Sequence, residues 1–251
     1  MFERDDKTER FYVPASEPGA VRDGFAWLQS YAEAHLSPDA MVCLPTLAEL
    51  DGVPAAIGER RTAELRRSRN TRLGMVRISL VTDRNAPGRY TNGPVLGLWP
   101  GGAQLDSLDE LDAPGLCVVG AGPEIDGWRL AWSPSDARTG KATEPSEAVG
   151  NHVVVAALKD LTDGVNLTTG ITHPSDKKAA VEAFKILRKA GESFESVGIK
   201  AWAIRNGWPP RHARSLAKLA GKIADGKTVQ DGRGGAHWKK DILEKWRAES
   251  A

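Results

Sequence analysis

The first part of the chain alternates short apolar runs with amphipathic stretches. Runs at 41–44, 75–81, 95–99, 116–119 and 128–132 are mostly apolar and bounded by glycine or proline. That pattern predicts strands buried on both faces. Between them, 18–36 places Phe25, Leu28 and Ala32 at helical spacing and stops at Ser37-Pro38. A second helix is expected over 54–69, with proline in its first turn, and a short acidic one over 104–111. Strands interleaved with helices predict an α/β sandwich with a mostly parallel sheet. The polar stretch 83–92, punctuated by Pro-Gly, reads as a loop.

Beyond Gly150 the period changes to that of helices. Candidate helices are 151–161, 174–190, 197–206, 209–225 and 239–248. In 174–190, Ala180, Val181, Phe184 and Leu187 recur at i, i+3/i+4, with Lys177, Lys178, Lys185 and Arg188 elsewhere on the cylinder. Helices this short do not stand alone in water, so their apolar faces must cover one another. The Ser, Thr, Glu and Pro-rich stretch 133–150 predicts a boundary. The expected organisation is an acidic α/β domain over 1–140, a linker over 141–150 and a smaller all-helical basic domain over 151–251.

Charge sharpens this division. The whole chain carries a formal charge of only +1, with 34 basic and 33 acidic residues. Residues 1–150 hold 16 basic and 22 acidic residues, a net of −6, whereas 171–251 hold 17 and 9, a net of +8. Segregation of this kind points to a nucleic-acid or acidic-partner surface in the last part, or to charge pairing across a homo-oligomer. The charged first ten residues lack the apolar core of a secretory signal, and the longest apolar stretches are far short of a membrane span. A cytoplasmic protein without membrane attachment is therefore expected. Cys43 and Cys117 each lie inside an apolar run, where a buried reduced thiol is the simplest reading. The five histidines show no metal-ligand spacing, so no metal and no cofactor is expected.

The segment 197–226 is the most informative. A helix, a turn at Gly207-Trp208-Pro209 and a second helix with the apolar stripe Ala213, Leu216, Ala217, Ala220 and Ile223 resemble a helix-turn-helix pair. On the second helix Arg211, Arg214, Lys218 and Lys222 follow one another at spacings of 3, 4 and 4 residues, which gathers four cations on one face. On a duplex, Arg211, His212, Arg214 and Ser215 would reach bases or phosphates, and Lys218 and Lys222 the backbone. Lys227, Lys239 and Lys240, with Arg233 in a Gly-rich loop, extend the positive surface. Trp208 and Trp238 fall in predicted turns and are candidates for stacking on bases; Trp202 and Trp246 fall on apolar faces. A solvated outer helix face is the plainer use of the same cations.

Three further patterns carry candidate chemistry. Arg60, Arg61, Arg66 and Arg67, on the 54–69 helix, form a candidate anion site, since guanidinium forks suit phosphate and carboxylate. Gly120-Ala121-Gly122 opens like a dinucleotide-binding turn, but Ile125 occupies the third glycine position and 128–132 reads as a strand where a helix is needed. Loops at the carboxyl ends of parallel strands carry Glu49, Asp83, Glu124 and Asp126. Their convergence would hold Mg²⁺ and support phosphodiester hydrolysis. The readings in play are thus non-catalytic nucleic-acid binding, a Mg²⁺-dependent phosphodiesterase or nuclease, and a charge-driven interaction module.

Overall fold

Why the apolar runs tolerate burial on both faces becomes plain from the sheet they form in the computed structural model, which describes residues 7–86, 88, 90, 92–230 and 237–250. The chain divides after Pro145 into two compact units.

In the first unit, β1 (Glu9–Pro14) leads to α1 (Ala20–Ala34), β2 (Asp39–Leu44) and a 3₁₀ turn (Leu47–Gly52). Then come α2 (Pro54–Ile57), α3 (Glu59–Ser68), β3 (Asn70–Leu73), β4 (Val76–Thr82) and β5 (Val95–Leu98). The unit ends with α4 (Gly102–Asp109), β6 (Gly115–Gly120), α5 (Pro123–Trp132) and β7 (Ser135–Asp136). Among the described residues these strands make one sheet in the order β3-β4-β2-β5-β6-β1-β7. All neighbours run parallel except β3 and β4, an antiparallel hairpin.

Alternation along each strand feeds two cores. Val42, Leu44, Leu96, Leu98 and Val119 meet Phe25 and Leu28 of α1, Ile57 of α2 and Leu65 of α3 on one face. Met41, Cys43, Val95, Leu116 and Val118 meet Leu105 and Leu108 of α4 and Ile125 and Trp128 of α5 on the other. The fold is an α/β sandwich with a mostly parallel sheet.

Three local readings are corrected. The run 128–132 is helical, because Trp128 and Ala131 bury one side of α5 while Arg129 points outward, a helical period hidden by its short length. The stretch 54–69 is two helices, broken at Gly58, whose φ of 87° is open to glycine at little cost. Strands β1 and β3 were not expected: β1 opens on the adjacent charges Glu9 and Arg10, and β3 is four residues long, with exposed Asn70 and Arg72 alternating with buried Thr71 and Leu73.

The second unit is helical. Its elements are α6 (His152–Gly164), a 3₁₀ turn (Gly170–Thr172), α7 (Pro174–Lys189), α8 (Ser196–Arg205), α9 (Pro210–Ala224) and α10 (Ile242–Glu249). Asn151 caps α6, its side-chain oxygen accepting from Val153 N and Val154 N. Helix α9 packs on α8, α7 and the 3₁₀ turn, and α10 packs on α6. Phe184, Leu187, Ile199, Leu216, Ile223, Trp208 and Trp246 are buried in this unit. Lys178, expected on the outer side of α7, is buried and lies 3.6 Å from Glu182.

Candidate nucleic-acid interface

Helices α8 and α9 are joined by Asn206-Gly207-Trp208-Pro209, with Gly207 at a φ of 87°. Pro210 at the first position of α9 has the fixed φ a helix start needs and gives up only an N–H that would have lacked a partner. One side of α9 then turns inward: Ala213, Leu216, Ala217, Leu219, Ala220 and Ile223 are buried. Arg211, Lys218 and Lys222 are exposed and Arg214 is half-buried. At 3.6 residues per turn the four cations span about 80° of the helix circumference, opposite the buried stripe. Lys218 and Lys222 have no ion pair among the described residues. A charge-dense face of this kind attracts polyanions through counterion release.

The remaining predicted contacts sort differently. His212 is a packing residue: its ring Nε2 lies 2.9 Å from the Thr168 carbonyl, and its side chain lies against Gly170, where a Cβ would sit within 2.7 Å of it. The Ser215 hydroxyl donates back to the Arg211 carbonyl at 3.0 Å. Lys227 pairs with Asp225 at 2.9 Å, a surface contact worth little in stability. Lys239 and Lys240 are exposed, on a segment tied to α7. There His237 N donates to Glu182 Oε2 at 2.6 Å, and Trp238 Nε1 donates to the Ala179 carbonyl at 2.9 Å. Arg233 and its Gly-rich loop lie outside the described residues.

Trp208 does not offer a ring to a base. It is fully buried, and its Nε1 donates to Thr162 Oγ1 at 2.9 Å, so the turn residue is the pin that holds α8–α9 to α6. Only a turn's sequence was visible, and a turn looks the same whether its aromatic ring points out or in. Trp202 and Trp246 are buried, in keeping with their apolar faces.

On the first unit, the candidate anion cluster divides. Arg66 pairs with Asp51 at 2.6 Å and Arg60 with Glu64 at 3.1 Å. Arg61 donates to two backbone carbonyls, Arg72 O at 3.1 Å and Ile57 O at 3.2 Å. Arg60 and Arg61 line one cleft, and Arg66 and Arg67 line another.

The four carboxylates proposed for Mg²⁺ do not converge, which corrects that expectation. Among the described residues no group of three or more His, Cys, Asp or Glu side chains could hold a metal ion. Glu49 is exposed on the 3₁₀ turn after β2, and burial raises the Asp83 pKa at the end of β4. Asp126 lies 3.6 Å from Arg129 of its own helix. The Glu124 carboxylate lies over the first residue of α4, where a Cβ on Gly102 would stand 3.0 Å from both its oxygens. It therefore faces the positive end of that helix, a structural use of its charge.

Gly120-Ala121-Gly122 does run from a strand into a helix, α5, contrary to the expectation of a strand. What counts against a pyrophosphate here is chemical. Pro123 offers no N–H, and Glu124 and Asp126 place negative charge in the first turn. The thiols are equally quiet: burial pushes Cys43 up to about 12 and Cys117 well above its ordinary value. Sequence reasoning missed the tie at Cys43, where the buried Gln104 of α4 donates to the Leu44 carbonyl at 2.8 Å. Its position just past Gly101-Gly102 was the available signal.

No helix among the described residues is long and apolar enough to cross a membrane. No curated protein and no solved structure matches the chain. Residues 150–247, less than half of the chain and almost coextensive with the helical unit, match the model of a family described as a domain of unknown function (DUF1889).

Proposed function

We propose that the protein binds nucleic acid without catalysis, using α8 and α9 as a helix-turn-helix-like pair with Arg211, Arg214 and Lys218 as the main contacts. Lys222, Lys227, Lys239 and Lys240 support them. One observation carries the reading: α9 buries one side completely and gathers its cations on the other. The location we propose is the cytoplasm, a reducing compartment that suits two free buried thiols.

The test is titration of the full chain against a short labelled duplex and a single strand, from about 50 to about 200 mM salt. Four phosphates neutralised give a log–log salt slope of about −3.6 on duplex, and Lys218→Gln with Lys222→Gln lowers its magnitude by about 1.8. No binding at the lower salt, or a slope the double variant leaves unchanged, overturns the proposal. Salt-sensitive self-association in sedimentation, with no nucleic acid bound, would also overturn it and transfer the face to protein contact.

A further inference from the structure

We infer that the first unit carries a second, independent site, for a phosphate chain, in the cleft between the first turn of α3 and the β3–β4 hairpin. The cleft measures about 880 Å³, and Arg60 and Arg61 from the helix and Arg72 and Arg77 from the hairpin line it. Sequence spacing alone grouped Arg60 and Arg61 with Arg66 and Arg67. The fold instead brings the first two together with arginines from a different element.

The hairpin register makes the arrangement unusual. Arg72 stands directly opposite Arg77. Leu80 N donates to the Arg69 carbonyl, so alternation along the ladder makes Arg72 and Arg77 a non-hydrogen-bonded pair, the kind whose side chains lie closest. Like charges placed so are unfavourable for folding. Asp39 offsets Arg77, at 2.6 Å from its Nε, but no ion pair offsets Arg72 among the described residues. Arg61 lies alongside, donating to the Arg72 and Ile57 carbonyls. Those contacts fix its guanidinium without cancelling its charge. Glu64 is already engaged by Thr71 Oγ1 at 2.6 Å and by Arg60. Gly58, the first residue before α3, has no side chain to cap the helix, so the positive end of α3 opens on the same cleft.

Two guanidiniums without an ion pair among the described residues, Arg72 and the backbone-anchored Arg61, stand beside a helix start in a cleft that Glu59 and Glu64 also line, and they suit an anion with several oxygens. Among the described residues no aromatic ring lines the cleft and its one large apolar residue is Ile57, so none of them reads a base or an acyl group. Its size exceeds one phosphate. The ligand class is therefore a run of linked phosphates, recognised by charge and oxygen geometry.

The experiment is calorimetric titration of the full chain with orthophosphate, pyrophosphate and tripolyphosphate at fixed ionic strength. Affinity should rise along that series. Among the described residues the Arg72 side chain makes no hydrogen bond or ion pair, so Arg72→Gln should fold normally and weaken tripolyphosphate about ten-fold, the loss of one charge-assisted hydrogen bond. Arg67→Gln, on the same helix but outside this cleft, should leave affinity unchanged. Equal weakening by both variants would reduce the effect to general charge, and no binding by the wild type would remove the site. Loss of tripolyphosphate binding in Lys218→Gln/Lys222→Gln with Arg72→Gln unaffected would move the anion to α9 and overturn this proposal. The duplex salt slope of Arg72→Gln reports separately on α9 and should not change.

Discussion

Asp109, at the end of α4, is the most exacting test of how the first unit is held together. Its carboxylate is sealed from solvent and accepts from Arg10 Nε at 2.8 Å, Trp128 Nε1 at 3.3 Å and Trp132 Nε1 at 2.6 Å. Arg10 is buried too, its guanidinium 3.5 Å from the centre of the Trp132 ring and one nitrogen donating to the Thr8 carbonyl. Asp109→Ala takes from that cation one charged acceptor, and from two indole N–H groups the acceptor they share. A hydrogen bond to a charged group is worth about 1.5–3 kcal/mol, and each orphaned donor costs about 1–3 kcal/mol. The terms overlap because the groups share one acceptor and the Trp132 face still attracts Arg10. A total loss of about 3–5 kcal/mol is therefore expected. Replacing both charges, Arg10→Met with Asp109→Leu, should recover only the share that belongs to Arg10, since both indole N–H groups still lack their acceptor. Proteolysis pulses across a urea series, with fragments assigned to each unit by mass, measure the first unit alone. A loss below about 1 kcal/mol for Asp109→Ala, or a double variant as unstable as the single, would refute the account of a buried, charge-compensated network.

Two further outcomes are expected. Gly122 has a φ of 101° and ψ of 174°, and a Cβ there would touch nothing within 4 Å; Gly122→Ala should cost about 1–3 kcal/mol from backbone strain alone, read as a lowered urea midpoint. Glu192 accepts from Asn151 Nδ2 at 3.0 Å and Arg247 at 3.0 Å, and these bonds hold its carboxyl below the ordinary value of 4.5. Because the folded value is the lower one, its contribution is present above that ordinary value and lost as pH falls through the folded one. Thermal unfolding from about pH 6 to about pH 3 should therefore show a steeper acid loss in the wild type than in Glu192→Gln, and identical profiles would refute the assignment.

Much of the architecture was legible because burial on two faces demands unbroken apolar runs. The 41–44, 95–99 and 116–119 runs mark β2, β5 and β6 for that reason. The stripe of α9 was equally legible, since one helix carries both its buried and its charged residues at fixed spacings. Legibility failed where a short segment satisfies two periods, as at Trp128–Ala131, where tryptophans suit a strand and a helix alike. It failed again at Trp208, whose destination depends on Thr162, 46 positions earlier.

Local chemistry along the chain thus determined the fold class of the first unit, the helical character of the second, and the one-sided charge of α9. These follow from side-chain period and backbone preference, which need only near neighbours. The tertiary structure alone decided which arginines share a cleft, which carboxylates stay apart, and whether Trp208 faces solvent or core. Such pairings join residues distant in sequence, and their register and packing direction are set by the competition of all buried surfaces at once.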